Sequence, residues 1–298
     1  MLAALAMQPA QAETLPVSGV TPAESDGAAA LNTIRVETFG GTVGADVSIR
    51  IADTLRDVFI NDQQYFTVFP AGLGDDPDGV LRGSVSSEVL RDTYEESRRE
   101  CVEKDDAGKC VKRETKKITC RKREIVLSPT IRLVGYNGNL LYSRDESESV
   151  EHKTCPDRST RMPTRESVER ELADRIAAKV RAGLAPSQYR SDVRVDENRR
   201  GLDRGASGEF KQAVRLTKSD VEGACALWQE LGHSSPSHAP IWYNLGLCEE
   251  MRGQAGEAET LYRKALSLDP RNSRAAEGLR RIEEGFRADH QLAAHYGA

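Results

Sequence analysis

Six cysteines, Cys101, Cys110, Cys120, Cys155, Cys225 and Cys248, are the residues of this chain whose type and spacing point most directly to chemistry. An even count, in a chain whose start resembles an export signal, favours disulfides over free thiols or a metal. Asn137-Gly138, set between the apolar-rich stretches 125–134 and 140–150, predicts a two-residue type I′ hairpin turn. Positions whose numbers add to 275 then face each other, and Cys120 and Cys155 are such a pair, at a separation that suits a disulfide. Pro129 is where a bulge could shift that register. Cys101 and Cys110 flank the turn-rich Lys104-Asp105-Asp106-Ala107-Gly108 and should meet across a second hairpin. Cys225 and Cys248 fall on neighbouring helices, where they bond or else serve as small buried packing residues. The competing chemistry is zinc, but there is no C-x-x-C spacing, and His152, His233 and His238 fall in a strand and an inter-repeat turn, so no metal site is expected.

Other candidates for chemistry are weaker. The turn Gly40-Gly41-Thr42-Val43-Gly44 follows a strand and opens a helix, the place of a phosphate-binding loop, yet it is neither G-x-G-x-x-G nor a Walker A sequence. Asp75-Asp76-Pro77-Asp78-Gly79 clusters carboxylates without the ligand spacing of a calcium loop. No G-x-S-x-G occurs, no cysteine is left free by the pairing argument, and His290 and His295 are terminal. The expectation is therefore no catalytic residue, no cofactor and no enzyme. Lys109, Lys112, Arg113, Lys116, Lys117, Arg121, Lys122 and Arg123 form a basic run in a chain of net charge −5, which argues against general nucleic-acid binding. Asp92, Glu95, Glu96, Glu100 and Glu103 on the preceding strand predict cross-strand charge pairing on a solvated hairpin.

The elements that must position these residues are legible in outline. Residues 33–39 alternate as a strand, and Val47, Ile51, Leu55 and Val58 line one face of a helix. Residues 66–69 are a second strand, and from 80 a third, with Leu81, Gly83, Val85, Ser87 and Val89 on one face, runs into the long charged hairpin. Thr164 caps a helix carrying Val168, Leu172, Ile176 and Val180, ended by Gly183 and Pro186. The order β-α-β-β-β-β-α reads as an α+β domain with long antiparallel hairpins and two helices over one sheet face.

Residues 239–270 carry a different pattern. Trp242, Leu245 and Gly246 share one helical face, Ala258, Tyr262 and Ala265 share another, and Pro270 ends the unit. Stepping back by the repeat length of about 34 residues takes Pro270 to Pro236, Ala258 to Ala224, Tyr262 to Trp228 and Ala265 to Leu231, keeping the packing type each time. The segment resembles a tetratricopeptide (TPR) repeat, an element that binds protein partners. Its earlier neighbour is degenerate, with Gly208, Lys211 and Gln212 where the family has Trp, Leu and Gly, and residues 274–286 read as a capping helix. The resemblance implies an exposed concave groove formed by Asn244, Glu249, Arg252, Arg274 and Arg281.

The amino-terminal order, with GVLRGSVSSEV and IRLVGYNGNLLYS, resembles the periplasmic CsgG-like domains and the domain at the start of TolB, families of non-catalytic envelope parts. The long hairpin is too charged to face lipid. The start, with its short apolar stretch and Ala10-Gln11-Ala12, resembles a signal peptide, and no apolar run approaches the roughly 20 residues that span a bilayer.

The expected organisation is a signal peptide and flexible leader (1–30), a CsgG-like α+β domain (31–187) and a linker (188–204). An all-α TPR domain (205–298) follows, with a degenerate repeat (205–238), an intact repeat (239–272) and a capping helix (273–295). The expected function is a non-catalytic periplasmic scaffold or adaptor that binds a protein or peptide through the TPR groove and docks on an envelope assembly, without nucleic acid or a membrane span. A small-ligand- or ion-binding protein, or an unrecognised hydrolase, is the alternative.

Overall fold

The computed structural model describes residues 13–73, 76–158 and 161–297. The signal-like start with Ala10-Gln11-Ala12, and Asp75 of the acidic loop, lie outside the described residues. The chain folds as two compact units. In chain order the elements begin with β1 (Thr14–Thr21), α1 (Asp26–Ala29), β2 (Thr33–Val36), α2 (Gly44–Arg56), β3 (Phe59–Ile60), β4 (Gln63–Gln64) and β5 (Thr67–Phe69). There follow β6 (Gly79–Lys104), β7 (Cys110–Gly135), β8 (Leu140–Arg144), β9 (Glu148–Thr154), α3 (Arg165–Leu184) and β10 (Ser187–Arg194). The chain ends in α4 (Arg204–Leu216), α5 (Val221–Ser234), α6 (Ala239–Met251), α7 (Ala255–Leu268) and α8 (Ser273–Tyr296).

The mixed α/β unit takes in 23–185 and the last residues from His295. Its sheet runs β5-β2-β6-β7-β8, with β9 also on β7, and β2 lies parallel to both β5 and β6. Helices α2 and α3 pack on each other, α2 meeting β2, β5 and β6 while α3 meets β7, β8 and β9. The seam is apolar: Val47, Ile51 and Leu55 from α2 and Val168, Leu172, Ile176 and Val180 from α3 are buried, facing Leu81, Val85, Ile125, Leu127, Ile131 and Leu133. Spacing of i, i+4 on the helices and i, i+2 on the strands brings these chains to one side. Thr164 caps α3 by accepting from the Ser167 N–H. The 40–44 turn is bonded to β6: the Gly40 N–H donates to the Gly83 carbonyl and the Val85 N–H to the Gly40 carbonyl. Gly41 sits at φ +89°, and a side chain there would strike the Val85 carbonyl at 2.3 Å, so the glycine answers a close backbone approach.

The hairpin register follows the expected sum by an unexpected route. Pairs such as Leu133↔Tyr142 on β8 and Arg121↔Thr154 on β9 add to 275. The turn itself has three residues: Gly135 N–H donates to the Asn139 carbonyl, and only Gly138, at φ +82°, is left-handed, where a type I′ turn needs two such residues. Val134 therefore pairs with Leu140, one short, and a bulge at the next rung restores the register. Pro129 causes no shift, because it stays in the ladder opposite Val85 and falls between the parts of β7 that β8 and β9 pair with, where no ladder bond is lost on that edge. Cys120 and Cys155 are bonded, with Cα atoms 4.3 Å apart and both buried. Cys101 and Cys110 close the hairpin tip, Cα atoms 5.8 Å apart.

Cross-strand charge pairing is present on the hairpin, though for the most part not between directly opposed residues. Opposed rungs on the outer hairpin include Arg91↔Arg123, Arg98↔Lys116 and Glu100↔Glu114, with Asp92↔Lys122 and Glu103↔Lys112 the opposite-charge rungs. Bridges run diagonally instead, Lys117 to Glu95 at 2.9 Å and Lys116 to Glu100 at 3.8 Å, or to the loop after β9, where Arg98 meets Asp157 and Arg158 meets Glu96. The pattern of signs along two strands could not reveal this, since a shift of one residue reverses which charges face.

The helical unit takes in 13–22 and 186–294. Residues 13–30 and 188–204, expected as flexible leader and linker, are largely structured: β1 and β10 form an antiparallel ribbon from Thr14↔Arg194 to Thr21↔Ser187. Leu15 and Val17 of β1 and Val195 after β10 are buried in the core of Phe210, Trp228, Tyr243 and Tyr262. Composition alone suggested flexibility, whereas the alternation of apolar residues is paid back only by helices far along the chain. Asp203 and Asp220 cap α4 and α5, each accepting a backbone N–H three residues on.

Candidate partner-binding surface

The repeat is built as its spacing implies. Tyr262 of α7 lies flat between two glycines: a side-chain carbon on Gly246 of α6 or Gly278 of α8 would lie 2.6 Å from its ring. That close approach is what small residues at these positions permit. Ala224, Trp228 and Leu231 are buried on α5, as are Ala258, Tyr262 and Ala265 on α7. Cys225 and Cys248 join α5 to α6, Cα atoms 6.0 Å apart, so all six cysteines are bonded. Glu96, Cys120 and Cys155 are close enough to suggest metal ligands, but the two sulfurs are bonded to each other. Gly253, at φ +76°, closes the C-terminus of α6 and turns the chain into α7.

The face expected to be an open groove is filled by this chain. Asn244 is fully buried: its Oδ1 accepts from the Asp196 N–H at 2.8 Å and its Nδ2 donates to the Asp196 carbonyl at 3.0 Å. Tyr243 donates its hydroxyl to the Arg194 carbonyl at 2.9 Å, and Arg274 reaches the Asp196 carboxylate at 3.7 Å. Arg281 is likewise buried, donating twice to Glu250 at 2.8 Å, while the Tyr262 hydroxyl donates to the same carboxylate. Burial pushes the Arg281 guanidinium down, but the Glu250 carboxylate more than offsets this and holds it above its ordinary value. Asn244 and Arg281 are thus internal fasteners and not groove residues. The cause is the segment 194–196 at and just past the end of β10, inside the expected linker, which is fastened to α6 through Tyr243 and Asn244 while β1 packs on α6. Glu249 and Arg252 bond each other at 2.7 Å, and Arg252 also reaches Glu222 of α5, so both serve the helix stack.

A cavity of about 210 Å³ opens at the end of this face. It lies among 18–20 of β1, Tyr189 of β10, the turn after α6, and α8, with Glu250 and Arg281 in its wall and Phe286 and Asp289 at α8. Phe286 is 36% exposed. The cavity offers an apolar ring, carboxylates and a cation to an incoming side chain. Sequence reasoning placed Phe286 on a capping helix but missed Tyr189 and Gly19; the alternation of Tyr189 and Val193, and of Leu15 and Val17, was the available signal.

Comparison with known proteins agrees on the repeat. The sequence model of the tetratricopeptide repeat family matches residues 239–272. The probable biofilm formation methyltransferase WspC of Pseudomonas aeruginosa is 39% identical over 70 residues, 23% of this chain. The match spans only 16% of that relative's length. Among solved structures, the dodecamer of a PelC variant from Paraburkholderia phytofirmans is similar over 58% of this chain and 98% of that one, at 17% identity and a TM-score of 0.27. By sequence match and by helix geometry together, α6 and α7 form a tetratricopeptide-type repeat.

Proposed function

We propose that this chain is an exported, non-catalytic scaffold whose helical unit binds a protein partner and whose mixed unit docks on a cell-envelope assembly. The observation that carries this reading is the α6–α7 repeat, a fold element built for protein contacts, here locked to α5 by a disulfide. Bonding of all six cysteines supports an oxidising compartment, the periplasm in this reading. The CsgG-like resemblance of 31–187 supports the docking role, and the described residues contain no helix long and apolar enough to cross a membrane. Because the concave face is occupied by 194–196, the partner is placed at the cavity beside Phe286 and Tyr189. In the test, tagged full-length protein is recovered from envelope extract, next to a Phe286→Asp variant of unchanged melting temperature. A stoichiometric protein companion that the variant loses supports the scaffold. A chain that elutes alone, yet melts higher with added calcium, nucleotide or sugar, contradicts it in favour of ligand binding.

A further inference from the structure

The basic run on the long hairpin gains a shape in the sheet that it lacks in the sequence. Directly opposed residues of an antiparallel ladder point to the same side, and every second residue repeats that side. One rung across β6, β7 and β9 is Arg91, Arg123 and His152, and the next rung on the same face is Thr93, Arg121 and Thr154. Further out along β6 and β7 the same face carries Glu95 and Thr119, Ser97 and Lys117, Arg99 and Thr115, then Cys101 and Arg113. Six cations thus share one side with a single carboxylate, Glu95, which Lys117 already engages. Arg91, Arg99, Arg113 and Arg121 are exposed and have no side-chain partner among the described residues. The chain as a whole is acidic, so this concentration is local.

Fold stability does not account for it. Like charges placed directly opposite destabilise a ladder, and Arg91 against Arg123 is such a pair. Both border a cavity of about 490 Å³ with Thr93, Arg121, Thr154 and Met162, while Asp92 and Lys122 of the opposite face reach its edge. A guanidinium offers a planar fork of donors that fits a carboxylate. We propose that this face binds a linear acidic polysaccharide, its carboxylates seated on the arginines from the Arg91–Arg121 cavity toward Arg113.

Four features select that occupant. The stripe repeats at about 7 Å per same-face step and covers six rungs, which suits a chain of regularly spaced charges over a single small anion. Hydroxyls of Thr93, Ser97, Thr115, Thr119 and Thr154 lie between the cations as donors and acceptors for sugar hydroxyls. No phenylalanine, tyrosine or tryptophan lies on this face along these rungs, so it lacks the row of stacking rings that single-stranded nucleic acid uses. A two-stranded ribbon twists strongly, so its stripe winds around it; a flexible chain follows that path and a flat bilayer does not. Disulfides at the tip end of the stripe, Cys101–Cys110, and on the opposite face between its second and third rungs, Cys120–Cys155, fit an extracytoplasmic setting for such a polymer.

The test measures binding of the purified full chain to alginate by titration calorimetry at low salt. The comparison is a variant with Arg91→Ser, Arg121→Ser and Lys117→Ser. Arg123 is left in place because it also donates to the Pro163 carbonyl. Expected are saturable binding that weakens with added salt, a loss of about tenfold or more in the variant, and no binding of neutral dextran. A control with Lys112→Ser and Lys116→Ser, removing charge from the other face, should stay within about twofold of the parent. Unfolding curves for both variants should match the parent, so that loss of binding reports the stripe. Equal binding by parent and stripe variant overturns the site. Tighter binding of duplex DNA, or of vesicles rich in anionic phospholipid, overturns the choice of polymer.

Discussion

Asn244 of α6 holds both backbone polar groups of Asp196, accepting from its N–H at 2.8 Å and donating to its carbonyl at 3.0 Å, with the amide itself wholly buried. An extended segment is read here through its main chain, the way a groove would read a peptide, but the peptide is this chain's own. Asn244→Ala leaves a buried N–H and a buried carbonyl without partners, at a cost of about 2–4 kcal/mol for the two together. Urea unfolding should show this as a lowered midpoint with unchanged slope. A midpoint within experimental error of the parent would mean the segment is not fastened there.

The Glu250–Arg281 pair is the second fastener, and its test depends on burial. With side chains 4% and 13% exposed, removal of either partner strands a charge, and Arg281→Met should cost about 3–5 kcal/mol. Converting both, as Glu250→Leu with Arg281→Met, should recover part of that loss, since a well-packed apolar pair often equals a buried ion pair, less the cost of the buried Tyr262 hydroxyl that Glu250 no longer accepts from. A double variant no more stable than Arg281→Met alone would count against this account of the pair.

The disulfides differ in what they close. Cys120–Cys155 spans a separation of 35 residues and is buried, so replacing both cysteines by serine should cost about 3–4 kcal/mol. Cys101–Cys110, with a separation of 9 at an exposed tip, should cost about 2–3 kcal/mol. Thermal unfolding of the two double variants gives the order, and peptide mapping without reduction gives the pairing. A tip variant less stable than the Cys120/Cys155 variant would contradict it.

Acid should weaken the fold before its carboxylates titrate. Burial lowers His238, against an opposing pull from Asp196, and lowers His295, against hydrogen bonding at Ala29 and the charge of Asp78. A histidine whose folded value lies below its unfolded value of about 6.5 stabilises fully above that pH, and its contribution is lost as pH falls through the folded value. The urea midpoint should therefore be flat from pH 8 to 7 and decline from 6.5 to 5. His238→Gln should show a shallower decline. Stability that holds or rises on acidification through this window would refute the assignment.

Much of this was legible in the sequence, and for identifiable reasons. Repeat spacing located Trp228, Tyr262 and their small neighbours because helix packing fixes which residue types can meet, and the 275 register located Cys120 opposite Cys155 because ladders count residues. The ribbon of β1 and β10 was missed because its two strands, 14–21 and 187–194, are far apart in the chain. Asn244 and Arg281 were placed in an open groove because family pattern gives a residue's position on a helix and not what this chain lays over it. Cross-strand charge pairing between β6 and β7 was legible from the signs, but its diagonal course was not, because which charges face each other depends on register.

The scaffold reading is tested most directly by placing a photo-crosslinking amino acid at Phe286, beside the cavity, and another at the exposed Lys211 of α4 in a second copy of the full chain. Irradiation in intact cells should give a discrete product of the chain with one other protein from position 286 and not from 211. An exported, folded chain that gives no product at 286, or the same diffuse products at both positions, would contradict partner binding at this surface.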